Sequence, residues 1–329
     1  MTAQLDPAGE KTLETLTAGV PVLKEQYLAA KPWPHLVLQN VFPDALLDAA
    51  AAECAGLDSS KLVVSHEDRQ VKEETPDGFG PACTRLLELL DGDVFHQFLT
   101  DVTGVPHLLP DPTHKLAGVH RTPVGGFTKI HRDFRLHPVN GLYHRVNVLV
   151  YLNRDWRPEY GGDLEMWPAD MSAIGNTVRP TFNTLVLWET HDLTLHGLPD
   201  PVNCPADRRR LSVAAYYYTA EQPAYQEERR RIGYWEARPG EDRSIARLTW
   251  QDQFRRIAPR SLRVVGRKAR ARIKNARAGH GGGEPMGKDA QGACRSVCLT
   301  GRQLSSLLSP SVRSCHQHQR AREGSRQRA

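Results

Sequence analysis

His131-Arg132-Asp133 lies in an apolar, β-rich stretch, and His196 follows Asp133 by 63 residues at the end of another apolar run. In an extended strand, side chains at i and i+2 share a face. His131 and Asp133 are therefore expected to reach one metal ion while Arg132 turns away. A third ligand must then come from a neighbouring strand, which fits the long gap to His196. Two imidazoles and one carboxylate suit Fe(II) and leave coordination positions open for exogenous ligands. Arg210 opens a basic strand, Arg210-Leu211-Ser212, just behind His196. It would place a cation where the far carboxylate of a chelating cosubstrate needs one. A second spacing of the same kind, His66-Glu67-Asp68, sits in the polar run Ser65 to Gln70. It has no apolar strand around it and is expected to be a solvated segment.

The elements that must hold these residues are legible as short strands. Val146 to Asn153 is an apolar run ended by a turn. Tyr160-Gly161-Gly162-Asp163 marks a turn, with a short strand through Leu164-Glu165-Met166. Asn183 to Trp188 is a further buried strand leading toward His196. Arg210 to Thr219 places Arg210, Ser212, Ala214, Tyr216 and Tyr218 on one face. If that face looks inward, Arg210 and Ser212 line a cavity near His196. Helical signals come earlier. Ala45 to Glu53 follows Pro43 and Asp44, whose charge suits the positive end of a helix. Cys83 to Leu99 has helical periodicity, as in Arg85-Leu86-Leu87-Glu88-Leu89-Leu90. His120, His137, His144 and His191 are expected as surface or supporting residues rather than ligands. Tyr216 to Tyr218, Trp156 and Trp167 are expected to pack. Arg132, Arg135 and Arg145 are expected as exposed charge near the mouth of the site.

These pieces resemble a known family. From about Leu116 to Thr219, the stretches GGFTKIHRDF, NVLVYLNRDW, YGGDLEMW, TLHGLPDPV and RRRLSVAAYYYT resemble the 2-oxoglutarate- and Fe(II)-dependent oxygenases. The branch resembled is that of the prolyl 4-hydroxylases. Lys31 to Glu53 is similar to the first strand and helix of that branch. The resemblance implies a mainly β (α+β) fold, a double-stranded β-helix or jelly-roll with N-terminal helices buttressing one sheet. It implies Fe(II) on His131, Asp133 and His196. It implies 2-oxoglutarate with its tail carboxylate on Arg210 and a hydrogen bond from Tyr151. Ser212 lies on the Arg210 strand face, and Asn147 and Leu149 share the face of Tyr151. O2 is the second cosubstrate and ascorbate the reductant. The implied activity is that of an oxidoreductase, a dioxygenase hydroxylating an unactivated C–H bond while 2-oxoglutarate and O2 become succinate and CO2. With Asp133 present, hydroxylation is expected rather than halogenation, which needs that carboxylate replaced. His120-Arg121 stands where animal relatives carry a tyrosine, so cosubstrate contacts differ there. The substrate class is a peptidyl proline or a small molecule, and the loops Asp68 to Pro81 and Arg132 to Tyr143 are expected to select it. The alternative is a non-catalytic jelly-roll that binds a ligand or partner. The complete ligand set together with Arg210 favours the enzyme.

A chain of 329 residues can bury a full core, with one catalytic domain and an appendage. The expected organisation is an oxygenase domain over 1–225, helical to about 115 and jelly-roll over about 116–219. A basic helical extension over 226–278 and a disordered tail over 279–329 follow. The hydrophobic share of 40% is ordinary for a soluble globular protein. No apolar run reaches the length of a membrane-spanning helix. Met1 to Asp6 lacks the basic and apolar regions of a signal peptide. Cys54, Cys83 and Cys204 have no metal spacing and read as reduced thiols, so a cytoplasmic protein is expected. From Arg260 onward there are 16 basic and 3 acidic residues, against 27 basic and 35 acidic before it. The pI near 8.9 thus belongs to the tail and not to the catalytic part. The basic tail could contact nucleic-acid phosphates, but it lacks aromatic interleaving and a recognition helix, so nucleic acid is not an expected partner, and any such contact would involve the tail alone. Cys294, Cys298, Cys315, His316 and His318 are too irregularly spaced for a zinc knuckle.

Overall fold

The computed structural model describes residues 7–58, 62–67, 69–111, 113–224 and 234–246. The chain opens with helices α1 (Pro7–Ala18) and α2 (Val20–Ala29), strand β1 (His35–Gln39) and helix α3 (Asp44–Gly56). A hairpin follows, β2 (Val63–Glu67) and β3 (Gln70–Thr75), then helices α4 (Pro81–Leu90) and α5 (Asp93–Thr103). Next come β4 (Leu109–Pro110), β5 (Gly118–Thr122), β6 (Phe127–Arg132) and β7 (Tyr143–Tyr151). The remaining strands are β8 (Leu164–Trp167), β9 (Asn176–Val178), β10 (Thr184–Glu189), β11 (Leu195–Leu198), β12 (Arg210–Thr219) and β13 (Tyr234–Trp235).

Strands pair in the order β1-β10-β7-β12-β5-β3-β6-β11-β8-β9, each neighbour antiparallel. The sheet curls on itself as a jelly-roll, so side chains of β7 and β10 meet those of β8 and β9 across the interior. Tyr151, Val186 and Trp188 pack there with Leu164, Met166 and Val178. The other face of the same strands packs on the helices. Val146, Val148 and Val150 of β7 and Leu211, Val213, Ala215 and Tyr217 of β12 join Leu47, Leu86, Leu90, Phe95 and Leu99 in one core. The period-2 reading of β7 and β12 is therefore realised on both faces at once.

Three local readings change. The Cys83 to Leu99 signal is two helices, broken at Asp91-Gly92 where Gly92 turns to an extended backbone. His66 lies in β2, paired with β3 in register His66↔Val71, so the run includes a hairpin strand where none was expected. Its pairing partner comes later in the chain, which local polarity cannot reveal. Asp68 lies outside the described residues. Within the span expected as a basic helical extension, residues 234–246 form β13 and a short 3-10 turn. Tyr234-Trp235 is β-forming and finds the open edge of β6, in register Trp235↔His131. The rest of that extension and the 279–329 tail, with their cysteines and histidines, lie outside the described residues.

Candidate functional site

His131 sits near the end of β6, Asp133 one residue beyond the strand, and His196 on β11. β6 and β11 are neighbours, and His131 and His196 are directly opposite. The i, i+2 relation and the neighbouring-strand ligand expected from the spacing are both present. One ligand atom from each of the three residues lies within 4.8 Å of the others. Among the described residues this is the one cluster able to hold a metal. The Nε2 atoms of His131 and His196 stand 3.5 and 3.6 Å from the two oxygens of Asp133.

The rings are oriented for metal binding. His131 Nδ1 lies 2.9 Å from the Lys129 carbonyl, and His196 Nδ1 lies 3.0 Å from that of Thr194. A carbonyl only accepts, so each Nδ1–H donates and each Nε2 keeps its lone pair facing the cluster. Burial pushes the His196 ring down to about 4, so it is neutral at physiological pH. Burial alone would raise the Asp133 carboxyl, but the two imidazoles hold it well below the usual carboxylate range. Neutral imidazoles and an ionised carboxylate are the protonation states a divalent metal needs. Trp188 meets the His196 ring edge-on at 4.8 Å, and Trp235 flanks the His131 ring at 5.1 Å.

Arg210 starts β12 and is 4% exposed. Its Nε donates to the Gly162 carbonyl at 2.7 Å, and its guanidinium lies 4.7 Å above the Tyr151 ring. No carboxylate pairs with it among the described residues. A buried guanidinium without a counter-ion is costly, so this position calls for an anionic ligand. The Tyr151 hydroxyl is buried with no hydrogen-bond partner among the described residues, and Arg210 stands beside it. Ser212 is buried and pairs in register with Tyr151 across β12 and β7. Leu149 packs against the Tyr151–Trp188 cluster. Asn147 shares that inward face, but its amide donates to Asp133 Oδ2 at 2.6 Å, so it touches the metal cluster directly.

Sequence reasoning missed several parts of this site. Gly162, read only as a turn residue, has φ +72°, and a Cβ there would lie 3.0 Å from Arg210 Cδ. Its carbonyl and its missing side chain together seat Arg210. Gly197 lets β11 approach β6, since a Cβ would lie 2.7 Å from the Thr128 carbonyl oxygen. Trp235 belongs to a strand whose partner is more than a hundred residues away in sequence. Arg135, expected as exposed charge, is 1% exposed and bound to the Thr190 carbonyl and Asp192. Arg132 and Arg145 pair with Glu236 and Glu189 at 2.7 and 2.8 Å. His137 pairs with Asp111, and His144 is buried among Phe134, Tyr216 and Tyr218. Neither belongs to the metal cluster.

Solved structures to which the chain is similar include a Pseudomonas putida prolyl-4-hydroxylase, at 23% identity and TM-score 0.44 over 62% of this chain and 98% of its own. A Trichoplax adhaerens prolyl hydroxylase, solved with a hypoxia inducible factor oxygen degradation domain peptide fragment, is 14% identical. Its TM-score is 0.45 over 64% of this chain and 91% of its own. Streptomyces hygroscopicus HygX, solved with nickel, 2-oxoglutarate and hygromycin B, is 18% identical, with TM-score 0.40 over 56% of this chain and 82% of its own. No curated protein matches the chain. Residues 117–218, the segment carrying His131, Asp133, His196 and Arg210, match the model of the 2OG-Fe(II) oxygenase superfamily.

Proposed function

We propose that the chain is a 2-oxoglutarate- and Fe(II)-dependent dioxygenase that hydroxylates an unactivated C–H bond. The observation that carries the reading is the pairing of the His131–Asp133–His196 cluster with Arg210, a buried cation that lacks a carboxylate partner among the described residues. Bound Fe(II), with 2-oxoglutarate and O2, supplies the oxidising power, giving succinate and CO2 with the hydroxylated product. The chain's own residues bind and orient. His131, Asp133 and His196 hold the ferrous ion. Arg210 takes the far carboxylate of 2-oxoglutarate through the guanidinium nitrogens that Gly162 does not occupy, with the Tyr151 hydroxyl as a second donor. Ser212 adds a hydroxyl on the same face, while Leu149 and Trp188 keep the pocket wall apolar. Asp133 completes the ligand set, which fits hydroxylation rather than halogenation.

The proposed substrate is a peptidyl proline or a small molecule, with ascorbate as reductant and the cytoplasm as location. No described helix is long and apolar enough to cross a membrane. The test is turnover of 2-oxoglutarate by purified protein with Fe(II), followed as succinate and CO2, with mass spectrometry of candidate substrates for a gain of one oxygen. The reading expects succinate that depends on both Fe(II) and O2. Equal turnover by the Asp133→Ala protein would defeat it.

A further inference from the structure

Asn147 sits midway along β7, with Trp188 of β10 opposite on one side and Tyr216 of β12 opposite on the other. It is 2% exposed. Its side-chain amide lies 2.6 Å from Asp133 Oδ2. The orientation of that amide is fixed by chemistry. A carbonyl oxygen at this distance would face an ionised carboxylate oxygen, acceptor against acceptor, so the NH2 must point at Asp133. Hydrogen bonds to an ionised acceptor are short and strong. The amide's own oxygen is buried beside the His144 ring, which can donate to it and so keeps the NH2 turned toward Asp133.

We propose that Asn147 is a positioning residue for Asp133. By donating to Oδ2 it holds the carboxylate in one rotamer, with Oδ1 3.5 Å from His131 Nε2 and Oδ2 3.6 Å from His196 Nε2. The carboxylate is thereby kept turned toward both imidazoles, where it would meet a metal ion they hold. Asp133 needs such a partner because it lies just past the end of β6, where no strand pairing holds its backbone. His131 and His196 are each braced by a backbone carbonyl two residues earlier. The carboxylate is braced instead from a third strand. The inference rests on His131, Asp133 and His196 being the metal ligands.

The experiment titrates metal-free protein with Co(II) and with Fe(II) under anaerobic conditions, comparing wild type with Asn147→Leu, Asn147→Ala and His131→Ala. Leucine keeps the branched outline of asparagine, though it is bulkier, and cannot donate; alanine serves if leucine disturbs folding. The expected result is metal affinity lower by roughly 10–100-fold in the Asn147 variants, the usual cost of removing a partner that supports a metal ligand. The Co(II) absorption bands should also change shape, because the carboxylate is free to rotate. The melting temperature of the metal-free Asn147→Leu protein should be no lower than wild type, which separates positioning from packing. Unchanged affinity and unchanged bands in both Asn147 variants would overturn the inference while leaving the metal site standing. Undiminished binding by His131→Ala would instead overturn the site reading beneath it.

Discussion

The two faces of β7 and β12 are built from alternate residues of the same strands, and they do opposite work. Outward, Val146, Val148 and Val150 meet the helices beside Leu211, Val213 and Ala215, with no polar side chain among them. Inward, Asn147, Leu149 and Tyr151 face Arg210, Ser212 and Tyr216. There, Arg210 is buried without a carboxylate partner and the Tyr151 hydroxyl is buried without a geometrically placed hydrogen-bond partner among the described residues. A well-packed core satisfies its polar groups or lacks them. The outer face supplies stability, and the inner face is the one we propose to be completed by ligands. Because the side-chain period is two, a one-residue slip would exchange the two faces. The helix-packed valines thus also fix the register of the site.

Breaking the two faces should give separable failures. His131→Ala, Asp133→Ala and His196→Ala should each abolish 2-oxoglutarate turnover and weaken iron binding by more than about the 10–100-fold cost of losing a supporting partner. Circular dichroism should show the fold retained. A fully active variant among the three would mean the inner face is not the site. On the outer face, Leu86→Ala empties volume in a core where Leu86 is wholly buried. About 2–5 kcal/mol of unfolding free energy should be lost, read by denaturant titration, with metal affinity of the folded protein unchanged.

Arg210→Ala should raise the 2-oxoglutarate requirement by roughly tenfold to a hundredfold, since a charge-assisted bond contributes about 1.5–3 kcal/mol. Arg210→Lys should fall between, because lysine cannot reproduce the planar fork. Arg208 and Arg209 are controls, bonded to the backbone carbonyls of Arg154 and Ala206. A loss at either control with none at Arg210 would place the cosubstrate elsewhere. A smaller effect in the same direction is expected for Gly162→Ala. The new Cβ meets Arg210 and the φ of +72° is strained for alanine. An unshifted 2-oxoglutarate dependence in this variant would show that Gly162 does not seat the guanidinium.

The smallest expected effect is a pH slope. Burial holds His144 down to about 4 and His120 to about 3, against 6.5 for the free side chain. Both are neutral when folded and take up protons on unfolding below 6.5. Stability should therefore fall as pH drops from 6.5 toward about 4. Asp91, pushed up to about 7 by burial and by Asp111, works in the opposite direction between 3.8 and 7. Thermal melts of Asp91→Asn should show the acid fall steepen, whereas a flat profile there would mean the histidines are already charged in the folded protein.

The metal cluster and the strand faces were legible in the sequence because both are local. The spacing of His131 and Asp133, the valine alternation of β7 and the position of Arg210 on β12 need only the period of a strand. What was not legible depends on chain returning from far away. Asn147 could be placed on the inner face, but its bond to Asp133 crosses from β7 to the end of β6. Trp235 reaches His131 only because β13 pairs with β6. The break between α4 and α5 was visible as Asp91-Gly92, yet the surrounding apolar periodicity outweighed it.

In the proposed function, the inner face holds a ferrous ion and the far carboxylate of 2-oxoglutarate at once. The direct test is anaerobic calorimetry of 2-oxoglutarate binding to the Fe(II)-loaded protein, with metal-free protein and the Arg210→Ala variant beside it. Saturable one-to-one binding to the Fe(II)-loaded wild type is expected, with sharply weaker binding without metal and weakening by roughly tenfold or more in Arg210→Ala. Binding equally tight without metal and in the Arg210 variant would contradict it.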